Sequence, residues 1–203
     1  MARKIWKPGN MLYPVPAVMV TVGDSNINNI ITIAWAGTVN SDPAMVSISV
    51  RKSRYSHGLL MKHKEFVINL VTKKLAYAMD YCGVKSGRDV DKFKEMKLTR
   101  GKASAVSAPI IEESPVNIEC KVKDVISLGS HDMFLAEVVA VSVDEKYLDE
   151  KGSFDLEAAN LIAYSHGKYY TLGEKVGKFG YSVRKKQTNK KYTRQKNKTK
   201  KDK

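Results

Sequence analysis

Apolar residues in this chain fall into short runs broken by turn residues, and most runs alternate rather than follow a helical period. Val15–Val22 (VPAVMVTV) is Val-rich and bounded by Pro and Gly, which predicts a strand. Gly23-Asp24-Ser25-Asn26 is turn chemistry, and Ile30–Ala36 (IITIAWA) predicts a second strand paired to the first as a hairpin. Asp42-Pro43 interrupts the chain before Met45–Arg51 (MVSISVR). In that third strand Val46, Ile48 and Val50 face one way and Ser47, Ser49 and Arg51 the other. A short helix is expected over Ser53–Lys62, a strand over Glu65–Val71, and helical segments over 73–82 and Asp89–Met96. Cys82–Gly87 between them reads as a loop. Asn117–Val125, Phe134–Val143, Leu161–Tyr164 and Lys168–Leu172 complete the extended segments. Tight turns, not crossover helices, join several strands. The pattern predicts a mainly β fold with inserted short helices: an antiparallel barrel, not a doubly wound parallel sheet.

Charge changes the picture at one end only. Eleven of the 35 Lys and Arg residues lie in 184–203, with Asp202 the single acid there. The remaining 24 basic and 20 acidic residues leave residues 1–183 near +4, against +14 for the whole chain. A charge run without apolar periodicity cannot offset its chain entropy, so 184–203 is expected to be a disordered Lys/Arg-rich tail behind a 1–183 domain. No stretch approaches the roughly 20 apolar residues of a membrane span. Val15–Val22 lacks a small-residue cleavage pattern behind it. Two cysteines without Cys-x-x-Cys spacing suit a reducing compartment, and the cytoplasm is the expected location. The four histidines show no metal-ligand spacing, so no metal is expected.

Candidate chemistry concentrates in Asn28–Ser56. There is no Gly-x-Gly-x-x-Gly, Walker loop or Gly-x-Ser-x-Gly elbow. Along Ile30–Ala36, Thr32, Ala34 and Ala36 form a small face opposite Ile31, Ile33 and Trp35. Short side chains leave room for a flat ligand against the backbone; equally, they fit beneath a neighbouring helix. Ser47–Ser56 (SISVRKSRYS) brings four serines, three cations and a helix start within ten residues. Hydroxyls, guanidinium groups and free N–H groups suit a phosphate. The alternative is a solvated basic turn with an ordinary cap.

At these residues the chain resembles the flavin reductase-like family of FMN-binding split barrels. The markers are Pro14-Val15-Pro16, Asn29–Trp35, Asp42-Pro43 leading into Ser47–Arg51, and Phe66–Leu70. They continue with Ser86-Gly87, Asp91-Lys92-Phe93, Glu119–Val122, Gly129–Asp132 and Ala136-Glu137-Val138. The resemblance implies a six-stranded antiparallel Greek-key split β-barrel that forms a homodimer and holds FMN near the subunit interface. It places Asn29, Thr32, Ala34 and Trp35 beside the flavin ring. Ser49, Val50, Arg51, Ser53 and Tyr55 are placed at the phosphate, and Ser86, Gly87 and Lys92 at the flavin's tail. His131 falls on the substrate side. No general acid or base is singled out. Family members commonly carry Gly where Ala136 stands, and a methyl there is expected to narrow a substrate channel.

The function implied is an FMN-dependent oxidoreductase, with NADH, NADPH or a redox protein as electron donor. The alternative is a flavoredoxin-like electron carrier without reductase turnover. The tail's cations would give nucleic-acid affinity that falls with salt. Tyr192 is its one aromatic for base stacking, and a solubilising extension explains the same composition. Truncation after Val183 should therefore leave FMN affinity, titrated at fixed salt, within about tenfold of the full chain, roughly 1.4 kcal/mol. A larger loss would assign the tail a part in binding.

Overall fold

The computed structural model describes residues 1–184. In chain order the strands and helices begin with β1 (Val15–Pro16), β2 (Val18–Gly23), β3 (Asn28–Ile33), β4 (Ala36–Ser41) and β5 (Ala44–Arg51). Next come α1 (Tyr55–His63), β6 (Glu65–Leu70), α2 (Ala76–Val84), α3 (Lys92–Glu95), β7 (Arg100–Gly101) and β8 (Ile110–Ile111). The series ends with β9 (Val116–Ser127), β10 (His131–Val143), β11 (Ile162–Ser165) and β12 (Lys168–Thr171). The compact unit holding all of these spans Met1–Leu172. A second unit begins at Gly173, and its described part contains a short 3-10 turn at Tyr181–Val183. Beyond Arg184 the segment expected to be disordered lies outside the described residues.

The fold is mainly β with few short helices, as the alternation predicted. Seven strands form one antiparallel sheet in the order β3-β2-β6-β9-β10-β5-β4. The β2–β3 hairpin is the one expected, and its turn needs glycine. Gly23 has φ +106, and a Cβ there would stand 2.0 Å from the Ile27 carbonyl oxygen. One strand went unread. The second expected strand ends at Ile33, and Ala36–Ser41 forms β4 on the far edge of the sheet. Its residues Gly37-Thr38-Val39-Asn40-Ser41 are all exposed, so no apolar alternation marks them. The loop expected at Cys82–Gly87 is half helix, because α2 continues to Val84.

β3 and β4 are successive in sequence yet occupy opposite edges of the sheet. Only Ala34 and Trp35 separate them. That link spans at most about 10 Å, so the sheet must curl until its edges nearly meet. The core fills the curl. Val18, Val20 and Val22, Ile31 and Ile33, Val46, Ile48 and Val50, Phe66, Ile68 and Phe134 form one cluster. Ala136 sits in the same cluster and is fully buried, so its methyl packs in the core and does not face a channel. A second cluster packs α2 against β2 and β3 through Met79, Cys82, Met19 and Ile30. Cys82 and Cys120 are both free and buried.

Buried polar groups pin the long connection between α3 and β9. The Asn69 amide group donates to the Met19 carbonyl at 3.0 Å, and its oxygen accepts from the Ile111 N–H at 2.9 Å and Asn117 at 2.8 Å. Glu119, 1 % exposed, accepts from the Ser104 N–H and hydroxyl at 2.9 and 2.8 Å and from the Ala105 N–H at 2.6 Å. Burial opposes its ionisation, but these donors outweigh burial and hold the carboxyl below its usual range. Glu119→Gln removes the charge and turns an N–H toward other donors. It should cost about 1.5–3 kcal/mol in urea unfolding at neutral pH. A depressed folded-state pKa means the parent also loses this stability as pH falls through it, whereas the variant should not.

Candidate functional site

The gap between the sheet's two edges is lined by residues from β3, β5, the start of α1, and the α2–α3 connection. In an antiparallel strand, alternate residues turn their main-chain groups toward one neighbour. The Ile30 carbonyl is on the open side, because it accepts from Lys92 Nζ at 2.6 Å. The same period puts the main chain of Thr32 on the open side too. Lys92 also donates to the Cys82 carbonyl at 2.6 Å, clamping the end of α2 onto the β3 edge. Its side chain is 4 % exposed, and burial pushes its pKa down to about 8.

Two cavities of about 150 and 160 Å³ lie along this edge and share Ile31 and Arg54. The first is lined by Asn29, Ser53, Tyr55, Ser56, Lys85, Ser86, Gly87, Arg88 and Lys92, among others. Thr32, Ala34, Trp35, Ser49, Val50, Arg51 and His131 line the second. No carboxylate lines either cavity, while Arg51, Arg54, Lys85, Arg88 and Lys92 do. An anion entering this groove meets a net positive field and no acidic competitor.

All thirteen residues picked from sequence border the groove, but in two groups. Asn29, Ser53, Tyr55, Ser86, Gly87 and Lys92 gather at one end; Thr32, Ala34, Trp35, Ser49, Val50, Arg51 and His131 gather at the other. Arg51, expected with Ser53 and Tyr55, stands with His131, its register partner across β5 and β10. Val50's side chain belongs to the core, which leaves only its main chain for the groove. Thr32 spends its hydroxyl proton on the Met79 carbonyl beneath α2. The small face of β3 therefore answers at Thr32 to helix packing: a Cβ on Gly83 of α2 would come within 3.1 Å of Thr32 Cβ.

Several groove residues had no site role assigned from sequence, Arg54 and Ser56 having been counted only as part of the Ser47–Ser56 run. Arg54, which borders both cavities, is the residue before α1. Lys85 and Arg88 flank the Ser86-Gly87 pair, and the Arg88 guanidinium lies 5.5 Å from the centre of the Tyr55 ring. The signal for all three was their position beside residues already chosen. Ser56, the last serine of the Ser47–Ser56 run, instead accepts through its hydroxyl from the buried Asn29 amide at 2.8 Å. Gly87 must be glycine for the same Asn29, whose Oδ1 lies 2.1 Å from where a Cβ would sit. Behind the groove, Asp132 joins His57 Nε2 at 2.8 Å and Lys52 Nζ at 3.3 Å. The His57 hydrogen bond, opposed by burial, holds the Asp132 carboxyl below its usual range. Burial, with Arg51 beside it, lowers the pKa of His131 and favours a neutral imidazole. Among the described residues no group of three or more His, Cys, Asp or Glu could hold a metal ion.

The curled antiparallel sheet thus carries a cationic, acid-free groove at its split. The flavin reductase like domain model matches residues 10–173. The chain belongs to that flavoprotein family. It is 30% identical over 166 residues to an uncharacterised protein of Pyrococcus abyssi, covering 82% of this chain and 95% of that one. Flavoredoxin of Desulfovibrio vulgaris (Miyazaki F) superposes with a TM-score of 0.83 at 29% identity, over 90% of this chain and all of its own. An FMN-binding protein from Thermus thermophilus gives 0.72 at 26% identity, over 88% of this chain and 99% of its own.

The Lys92 clamp has a measurable consequence. A depressed pKa means that the unfolded chain holds a proton the folded chain lacks between about 8 and 10.5. Stability should therefore rise with pH across that window relative to Lys92→Met. The variant also leaves the Ile30 and Cys82 carbonyls unpaired and should lose about 1–3 kcal/mol at pH 7. A parent and variant with parallel pH profiles would refute the clamp.

Proposed function

We propose that this chain binds FMN in the groove and transfers electrons through it, as a flavin reductase-like oxidoreductase using NADH or NADPH. The carrying observation is the juxtaposition of an open strand edge with a cationic, acid-free end. Arg54, Lys85, Arg88, Ser53 and the first N–H groups of α1 form the phosphate end, since a helix start and guanidinium groups together suit a dianion. Asn29, Ser86, Gly87 and Lys92 flank the ribityl chain. The open main chain at Thr32 and Ala34 offers strand-like donors and acceptors to the flavin's pyrimidine edge, and Trp35 shields the ring from water. Bound FMN supplies hydride acceptance and one- or two-electron release, chemistry that belongs to the cofactor. The protein's part is to orient the ring, fix its charge environment and leave one face reachable beside His131.

A homodimer fits this reading, because Val39 on β4, Ile126 on β9 and Val141 on β10 are exposed apolar residues. No helix among the described residues is long and apolar enough to cross a membrane, in keeping with a cytoplasmic enzyme. The likeness to flavoredoxin favours a second reading, an electron carrier whose partner is a redox protein. Steady-state oxidation of NADH and NADPH with added flavin separates the two: turnover supports the reductase and its absence the carrier.

The purified protein should be yellow and release FMN on denaturation; a colourless protein that takes up no added FMN refutes the proposal. Arg54→Ala should weaken FMN by about 1.5–3 kcal/mol, the worth of a hydrogen bond to a charged group. Riboflavin, which lacks the phosphate, should lose much less. Equal losses for the two ligands would remove Arg54 from the phosphate end.

A further inference from the structure

A larger chamber of about 750 Å³ opens beside the groove and shares Trp35, Ser49, Arg51 and His131 with it. That volume is in the range of small-molecule sites, about 300–1,000 Å³. Its lining is of two kinds. Ser49 and Arg51 are two apart on β5 and so share a face, and His131 pairs with Arg51 across the ladder. This part is polar. The apolar part of the lining is Met11 and Leu12 of the N-terminal arm, with Val15, Trp35 and Leu128. Met11, Leu12 and Leu128 are 58 %, 87 % and 56 % exposed, so the apolar part is uncovered.

Arg51 makes no ion pair among the described residues. The nearest carboxylate in sequence to its strand partner is Asp132. As the next residue of β10, Asp132 points to the other face, where His57 and Lys52 engage it. No carboxylate lines the chamber. His131 gives its Nδ1 to the Ser130 hydroxyl at 2.9 Å, which leaves Nε2 for another partner. A guanidinium fork beside an imidazole fits a planar carboxylate, and the tryptophan and aliphatic wall fits a flat apolar body.

We propose that this chamber binds the organic substrate, a flat conjugated carboxylate, with its carboxylate on Arg51 and His131 and its ring against Trp35 and Leu12. The assignment deepens the FMN reading by naming the substrate class, and rests on it only for calling the ligand a substrate. Sequence and structure supply two tryptophans, Trp6 and Trp35. In full-length Trp6→Phe protein, Trp35 alone reports on the chamber.

Sodium benzoate is the probe and benzyl alcohol its uncharged counterpart. Binding is read on the visible flavin band with FMN present and on Trp35 fluorescence without it. Benzoate should saturate and bind at least about tenfold more tightly than benzyl alcohol, a charge-assisted margin of about 1.4 kcal/mol. Arg51→Gln should abolish that preference and leave benzyl alcohol affinity unchanged. Leu12→Ser should weaken both probes. If Arg51→Gln fails to fold, Arg51→Lys substitutes: it keeps the charge but loses the fork, and should bind benzoate more weakly than the parent. Equal affinity for the two probes, a preference that survives Arg51→Gln, or an Arg51→Lys protein that binds benzoate as tightly as the parent overturns the assignment. A colourless protein with an intact benzoate preference refutes FMN and leaves the carboxylate site standing. A yellow protein without the preference does the reverse.

Discussion

The two-residue link between β3 and β4 is the constraint on which everything else turns. Ala34 and Trp35 must carry the chain from one edge of a seven-stranded sheet to the other. That is possible only if the sheet curls until its edges stand about one link apart. The curl creates the inside that the Val, Ile and Phe residues fill. It also leaves a slot, because edges joined by a link are not joined by a ladder. One main-chain bond from Ser49 N–H to the Trp35 carbonyl, at 2.9 Å, tacks the link to β5. The groove is thus what remains when a sheet nearly closes.

Polar groups then fix the width and sign of that slot. Lys92 holds the α2–α3 connection against the β3 edge through two carbonyls. A neutral amine still has two N–H donors, so both bonds survive deprotonation. Asn29 and Gly87 meet so closely that a Cβ on Gly87 would strike the Asn29 amide. On the far side, Asp132 binds both the turn after β5 and helix α1 through Lys52 and His57. The carboxylate thus faces away from the groove, whose field stays positive. Cations line the slot because their acidic partners are held elsewhere or absent.

Much of this was legible in the sequence, for identifiable reasons. Strands with one buried face announce themselves by alternation, as β5 does with Val46, Ile48 and Val50 inside. Long strands and the β2–β3 turn were equally plain. β4 was silent because Gly37–Ser41 are all exposed, so nothing in that run answers to a core. The candidate residues came together because β5, the turn after it and the start of α1 carry Ser49, Val50, Arg51, Ser53 and Tyr55 in sequence, while the family resemblance supplied the others. Their division between two ends was not legible. It depends on which strands lie side by side, as β5 and β10 do where Arg51 meets His131, 80 residues on. The role of Thr32 also lay beyond the sequence, because its hydrogen-bond partner is a carbonyl in a helix 47 residues on.

The same near-closure leaves two strand edges without ladder partners, and they are guarded unequally. Unpaired N–H and C=O groups along an edge are a template for another chain, and folded proteins blunt such edges with charge, cover or poor β-formers. At β3, Lys92 caps the Ile30 carbonyl and ties the end of α2 to the edge, and the rest of that edge borders the groove. β4 has no such cover, but it carries Gly37, Asn40 and Ser41, which form strands poorly. Replacing its glycine, asparagine and serine with valine or isoleucine would convert a quiet rim into a polymerisation seam without touching the groove.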